Sequence, residues 1–364
     1  MKLRELTIFL DRVIPLSFQE SYDNSGLQTG SPDKEISSAL LTLDVTEDVL
    51  DEAGYNGCDV IISHHPVIFG GLKQLTGKTA AERIILKAVR QDIAIYSAHT
   101  NLDAVNGGVS MKMAEKLKLE NIRVLVPLQN KLMKLVTFIP VKHFEKVTSA
   151  LFEAGAGVIG NYDRCGFSVP GTGIFRAGEG TDPFAGEKGK DHQEQEVRFE
   201  TILYSHLKSR VLKALYEAHP YEEPAFDFYM LDNDNYMAGM GCTGELAVEA
   251  GEMEFLEMLK NVFNPAHIRY SRLRGRKIRK VALCGGAGGQ LIGDAIASGS
   301  DVYVTGDIRY HSFLDSGSNI LLADIGHFES EKYSPEILYD LIIKKFPTFA
   351  LRFSDVNTNP INFL

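Results

Sequence analysis

Short apolar runs in this chain stop abruptly at side chains able to bind metal. Residues 59–63 (Asp-Val-Ile-Ile-Ser) run straight into His64, His65 and Pro66, and residues 93–98 (Ile-Ala-Ile-Tyr-Ser-Ala) end at His99, with Asp103 four positions on. The pattern recurs near the other end of the chain. Residues 301–305 (Asp-Val-Tyr-Val-Thr) lead to Gly306 and Asp307, and residues 320–325 (Ile-Leu-Leu-Ala-Asp-Ile) lead to Gly326, His327 and Glu331. Short, almost uniformly apolar runs are the signature of strands buried on both faces of a parallel sheet. Such sheets gather functional groups at the carboxyl ends of their strands, which is where these side chains fall. The echo between the two sets suggests an internal duplication.

Helical patterns separate the strands. Residues 46–56 read as a helix capped by Thr46, and residues 80–91 as an amphipathic helix. In the last third, helices are expected over 252–263, 290–298 and 335–346, the last with Ser334 as cap and Pro335 at its first position. Further strands are expected at 39–45 and 280–284. Alternating strands and helices imply a mostly parallel α/β sheet. The middle differs. It reads as strand 132–139, helix 142–154, two short strands near 163–169 and 173–177, a loop over 178–195, strand 196–205, helix 208–219 and strand 225–231. With the two short strands taken together, this is the β-α-β-β-α-β order of a ferredoxin-like domain. The expected architecture is therefore two similar α/β lobes forming one metal-binding domain from residues 1–127 and 236–364, interrupted by an inserted α+β domain at 128–235.

The 364 residues are enough for two or three domains. The formal net charge of −10, with no basic run longer than Arg274 to Lys280, argues against nucleic acid as a partner. Cys58, Cys165, Cys242 and Cys284 are too dispersed for a zinc knuckle or a redox pair, and fit a reducing, cytoplasmic setting. Leu3, Leu6, Leu10 and Val13 fall at helical spacing, and Asp11 and Arg12 interrupt the apolar run, so the first residues read as a core helix and not a signal peptide. No apolar stretch is long enough to span a bilayer, so no membrane partner is expected.

The strand-end groups are His64, His65, His99, Asp103, Asp307, His311, His327 and Glu331. Imidazole with carboxylate suits zinc, manganese, iron, cobalt or nickel. On a regular strand His64 and His65 would point to opposite faces. Pro66 ends the ladder and places the pair on a turn, where the rings can diverge toward two neighbouring ions. His99 and Asp103, like His327 and Glu331, are four apart and would share one face of a helical turn. The glycine-rich stretch from Cys284 to Gln290 reads two ways, as a phosphate cradle at a helix N-terminus or as a tight turn with close backbone packing. It matches neither the P-loop nor the dinucleotide fingerprint.

These stretches resemble a known family. Asp23-Asn-Ser-Gly-Leu27, Leu43-Asp-Val-Thr46, Ile62-Ser-His-His-Pro66, Ser97-Ala-His-Thr-Asn-Leu-Asp103, Thr305-Gly-Asp307 and Gly326-His-Phe-Glu-Ser-Glu331 are similar to the YbgI/YqfO family of toroidal dinuclear-metal proteins, the GTP cyclohydrolase 1 type 2 homologues. The middle segment, with His219-Pro-Tyr-Glu-Glu-Pro224, resembles the PII/CutA-like insertion of the longer members. The resemblance implies two divalent ions, zinc before the other candidates, and a homohexamer. By position it assigns His65 and Asp103 to one ion, His64 and His327 to the other, and Glu331 as the bridge.

Two ions sharing a carboxylate can activate water near neutral pH, so a hydrolase acting on a nucleotide or phosphoester is expected. His99, Asp307 and His311 are then candidates to orient ligands or move a proton. The competing expectation is a non-catalytic regulatory or metal-handling hexamer whose inserted domain senses a ligand.

Overall fold

In the computed structural model, which describes residues 1–316 and 319–364, the Val60–Ser63 run is a strand buried on both faces. It is the middle strand of a five-stranded sheet ordered Gly26–Thr29, Ala94–Ser97, Val60–Ser63, Ser38–Thr42, Ala350–Phe353. The last four are parallel, and Gly26–Thr29 closes one edge antiparallel. Helices Glu47–Tyr55 and Ala80–Arg90 cover one face, packing Val49, Leu50, Ile84, Ile85 and Ala88 onto Leu40, Ile61 and Ile95. Thr46 caps the first helix as expected, its hydroxyl accepting from Val49 N–H at 3.2 Å. The first helix, Leu3–Val13, buries Leu3, Leu6 and Leu10 completely.

A second sheet has six strands, ordered Arg269–Tyr270, Leu321–Asp324, Val302–Gly306, Lys277–Ala287, Asn235–Gly251, Glu120–Leu128. Three central strands are parallel, while Arg269–Tyr270 and Asn235–Gly251 join antiparallel. Side chains alternate across it: Val281, Leu283, Val302 and Val304 meet the Glu252–Phe263 helix on one face. Ala282, Cys284 and Tyr303 meet Leu291, Ile292 and Ala295 on the other.

Each sheet repeats one local unit. A buried strand ends, a turn follows, and a five-residue helix carries the next side chains: Thr100–Ala104 after Ala94–Ser97, and His327–Glu331 after Leu321–Asp324. The chain divides into two compact units, Met1–Pro127 with Met237–Leu364, and Leu128–Tyr236, and both sheets belong to the first.

The second unit has a four-stranded antiparallel sheet ordered Gly166–Arg176, Asp191–Tyr204, Leu132–Pro140, Phe226–Met230. Helices Phe144–Glu153 and Lys208–Ala218 complete a β-α-β-β-α-β chain order. Their Val147, Leu151, Val211 and Leu215 pack on Leu135, Ile139, Phe199 and Leu203.

Several expectations are corrected. The two short strands near 163–177 are one continuous strand, Gly166–Arg176, despite Pro170 and three glycines. It pairs along its whole length with Asp191–Tyr204, so the loop is shorter than 178–195. An edge strand tolerates proline, and cross-strand pairing overrides weak local propensity. Ser334 is the first residue of its helix and not the cap; its hydroxyl, buried, has no hydrogen-bond partner among the described residues.

Candidate metal centre

The backbone after Val60–Ser63 stays attached to the neighbouring strand. His64 N–H donates to Thr42 O at 3.3 Å and His65 N–H to Leu43 O at 3.0 Å. Pro66 then ends the ladder, and the two rings splay to a centroid separation of 5.0 Å at 44°. The pair stands where the ladder ends, with the two rings set apart.

Each ring is oriented through its other nitrogen. His64 Nδ1 bonds Ala98 O at 2.8 Å, His65 Nδ1 bonds Asp44 Oδ1 at 2.6 Å, and His327 Nδ1 bonds Asp307 Oδ2 at 2.7 Å. A hydrogen bond at Nδ1 to a carbonyl or carboxylate fixes the ring and leaves Nε2 as the donor atom, the usual arrangement around a metal-binding histidine. The Nε2 atoms converge on Glu331. His65 Nε2 is 2.9 Å and His327 Nε2 3.0 Å from Oε2, while His64 Nε2 is 3.6 Å from Oε1. Asp103 Oδ1 stands 3.7 Å from His64 Nε2.

Donor atoms thus cluster as His64, Asp103 and Glu331, and as His65, His327 and Glu331, each set within 4.8 Å of one another. The resemblance assigned Asp103 to the ion of His65 and His327 to that of His64. The distances pair them the other way, because the turn at Pro66 sends His64 inward, fully buried, and His65 outward toward the other lobe. A third cluster joins His64, His65 and His99.

Two buried donor atoms, His64 Nε2 and Asp103 Oδ1, have no hydrogen-bond partner among the described residues. Orphaned buried polar atoms are costly in a folded protein, and two of them facing each other across 3.7 Å fit a cation between nitrogen and oxygen ligands. The electrostatics agree. Burial alone would lower the pKa of His65, but hydrogen bonds to Asp44 and Glu331 outweigh it and push it up to about 10. Burial likewise opposes the charge on His327, yet Glu331 and Asp307 raise it to about 9. Burial drives the Asp103 carboxyl up to about 7. Burial also works against Glu331, but the charge of the neighbouring His64 ring, then hydrogen bonds from His327 and His65, hold its pKa well below the usual carboxylate value. The carboxylates favour positive charge strongly at this place.

His99 lies beside the cluster, its ring 5.3 Å from both His64 and His65. Its Nδ1 bonds Asp23 Oδ1 at 2.8 Å, while Asp23 Oδ2 accepts Thr100 N–H at 3.0 Å. Asp307 adopts a left-handed φ of 54°, which an aspartate tolerates, and reaches His327 from there. His311 is not brought in. It is exposed on the Tyr310–Ser316 helix, edge-on to Tyr310, and belongs to none of the donor clusters. Asp44 and Asp23 were not singled out as site residues. Asp44 follows the Ser38–Thr42 strand and could have been found as one more strand-end carboxylate; Asp23 lies in a loop and carries no such signal.

The glycine-rich stretch serves the centre differently from a phosphate cradle. Gly285, Gly286 and Gly288 N–H groups donate to Ser110, Ser330 and Thr305 hydroxyls at 3.2, 2.9 and 2.9 Å. With those donors consumed, the close-packing alternative is the one the structure supports.

A GTP cyclohydrolase 1 type 2 homolog of Halalkalibacterium halodurans is 40% identical, covering 97% of this chain and 96% of its own. One from Bacillus subtilis is 36% identical over 99% and 98%. The crystal structure of a Bacillus cereus protein related to NIF3 superposes with a TM-score of 0.87 at 39% identity, covering 100% of this chain and 99% of the other. The resemblance read from the strand-end motifs is borne out. The model of the family described as Duf34/NIF3 (NGG1p interacting factor 3) matches residues 1–360, and the chain belongs to that family.

Proposed function

We propose that this protein is a dinuclear metal-dependent hydrolase acting on a nucleotide or a phosphoester. One observation carries the reading. The two oxygens of buried Glu331 face different donor sets, Oε1 toward His64 and Oε2 toward His65 and His327, as a carboxylate bridging two cations requires. His64 and Asp103 would hold one ion and His65 and His327 the other, with zinc the first candidate and iron, manganese, cobalt or nickel compatible with the same donors. Divalent ions held there would lower the pKa of water and polarise a phosphoryl or ring carbon–nitrogen centre.

The chain's own residues supply the rest. Asp44 and Asp307 keep the His65 and His327 rings turned so that Nε2 faces inward. Asp23 holds His99 by Nδ1 at the edge of the cluster, in place to accept or return a proton. The name carried by the relatives, GTP cyclohydrolase 1 type 2 homolog, is compatible with a guanine nucleotide as substrate.

Protein purified without chelators and analysed for metal is expected to hold about two ions per chain, and fewer than about one contradicts the reading. Turnover of a nucleotide and phosphoester panel is then compared with His64→Ala and Glu331→Ala. Activity lost in both variants supports the hydrolase; no turnover above the variants on any substrate defeats it.

A second reading has its own support. The Leu128–Tyr236 unit, which we read as PII/CutA-like from its strand and helix order, contains a cleft of about 590 Å³ lined by Phe175, Phe184, Tyr221 and Glu196. A non-catalytic, metal-handling homohexamer that senses a ligand there accounts for both units. Full metal loading, a mass near six chains by light scattering and no turnover would favour it.

A further inference from the structure

Phe353 ends the edge strand that runs parallel to Ser38–Thr42, in register with Leu41. Parallel neighbours leave a sheet at the same end, so the chain beyond residue 353 is delivered to the carboxyl edge, where Asp44 stands. It is fastened there. Ser354 N–H donates to Leu41 O at 2.9 Å, Asp355 N–H donates to Glu52 Oε1 at 2.8 Å, and the Ser354 hydroxyl meets the other Glu52 oxygen. Val356 packs against the helix-covered core of the same sheet.

Two side chains then reach toward the metal centre. Thr358 Oγ1 donates to Asp44 Oδ2 at 2.8 Å, the carboxylate oxygen not taken by His65. Asn359 Nδ2 donates to Glu329 Oε1 at 3.2 Å. Glu329 lies between His327 and Glu331 on their five-residue helix.

We propose that residues 354–359 form a strap that sets the spacing between His65 and the His327–Glu331 helix, with Thr358 and Asn359 as positioning residues for one cation of the pair. The inference rests on the reading of this site as a metal centre. His65 follows a strand of one sheet, while His327 and Glu331 follow a strand of the other, so neither sheet alone fixes their separation. The strap is bonded to both sides of that gap, through Asp44 on one and Glu329 on the other. Metal sites need their donors held to within about half an ångström, and groups bonded behind the ligands usually do this. His64 is braced by Ala98 instead, so the strap bears most directly on His65 and His327, and reaches the other donor set only through the shared Glu331.

The test is Co²⁺ titration of the full chain, followed by visible absorption, for wild type, Thr358→Val, Thr358→Ser and Asn359→Ala, with metal-free unfolding measured in parallel. Thr358→Val is expected to weaken one of two Co²⁺ binding steps by about tenfold and to alter the spectrum of that step, leaving the other within about twofold. Thr358→Ser restores it, Asn359→Ala weakens the same step, and the metal-free unfolding midpoints stay together. If Thr358→Val binds both ions as wild type does, the strap has no positioning role. Equal weakening of both steps, with a lower metal-free midpoint and no rescue by serine, means that it only holds the fold, and the proposal falls. Wild-type protein that takes up no Co²⁺ overturns the metal reading itself, and that failure is visible without any variant.

Discussion

Gly286 stands directly against the Glu331 carboxylate: a Cβ at Gly286 would collide with Oε1 and lie 3.1 Å from Cδ. Its φ of +62° lies in the left-handed region. The backbone cannot retreat easily, because Gly286 N–H donates to Ser330 Oγ at 2.9 Å and that hydroxyl donates to His327 O at 2.7 Å. Gly286→Ala is therefore expected to lose about 1–2 kcal/mol from the backbone conformation and to displace the one carboxylate shared by both donor sets. Elemental analysis should show metal content reduced well below wild type. Normal metal content would mean that Glu331 has room to move.

The braces behind the rings make a sharper distinction. Asp44 and Asp307 act on His65 and His327, which share one donor set, whereas Asp23 acts on His99, which belongs to neither set with Glu331 and appears only in the third cluster, with His64 and His65. Asp44→Asn and Asp307→Asn should each weaken cation binding by about 10- to 100-fold. Asp23→Asn should leave affinity near wild type and lower turnover. Competition against a calibrated chelator measures the first effect and steady-state kinetics the second. Equal loss of affinity in all three variants would make His99 a ligand.

How much of this could be read in the chain follows from what local sequence encodes. The strands ending at His64, His99, Asp307 and His327 were legible because each is buried on both faces and ends in a residue with no place inside a core. The strands Glu120–Leu128 and Asn235–Gly251 were not. The first exposes its opening four residues, and the second contains four glycines, so neither shows the expected periodicity. Their place comes from pairing with distant partners. The grouping of donors was hidden for a related reason: which ring points inward at Pro66 depends on the neighbouring strand that accepts His64 and His65 N–H. The bond from Thr358 to Asp44 spans 314 positions and leaves no local trace.

Glu82 gives a pH prediction away from the metal. Its Oε2 accepts from Thr76 N–H at 2.8 Å, Thr76 Oγ1 at 2.7 Å and Lys78 N–H at 3.1 Å, fixing the end of the segment that leads from the His-His-Pro turn into the Ala80–Arg90 helix. The Thr76 hydroxyl, followed by the Thr76 and Lys78 amides, lowers the Glu82 pKa to about 2. A depressed folded-state pKa contributes stability that is present in full above the unfolded value, near 4.5, and is lost as pH falls through 2. The difference in unfolding midpoint between wild type and Glu82→Gln should therefore be constant above about pH 5 and shrink steadily toward pH 2. A difference independent of pH would show that the bonds survive protonation.

The last prediction concerns the second unit. Leu215 is fully buried between its helix and the four-stranded sheet, in a cluster with Leu151, Val211 and Phe199. Leu215→Ala removes three carbon atoms from that cluster, at an expected cost of about 2–5 kcal/mol depending on how far the neighbours collapse into the space. Every donor of the candidate centre comes from Met1–Pro127 or Met237–Leu364, and none from Leu128–Tyr236. Destabilising the second unit should then leave the metal stoichiometry of the folded protein unchanged. Calorimetry read together with metal analysis separates the two effects. Loss of metal in step with loss of stability would mean that the two units fold as one, and that the donors on either side of the insertion depend on it.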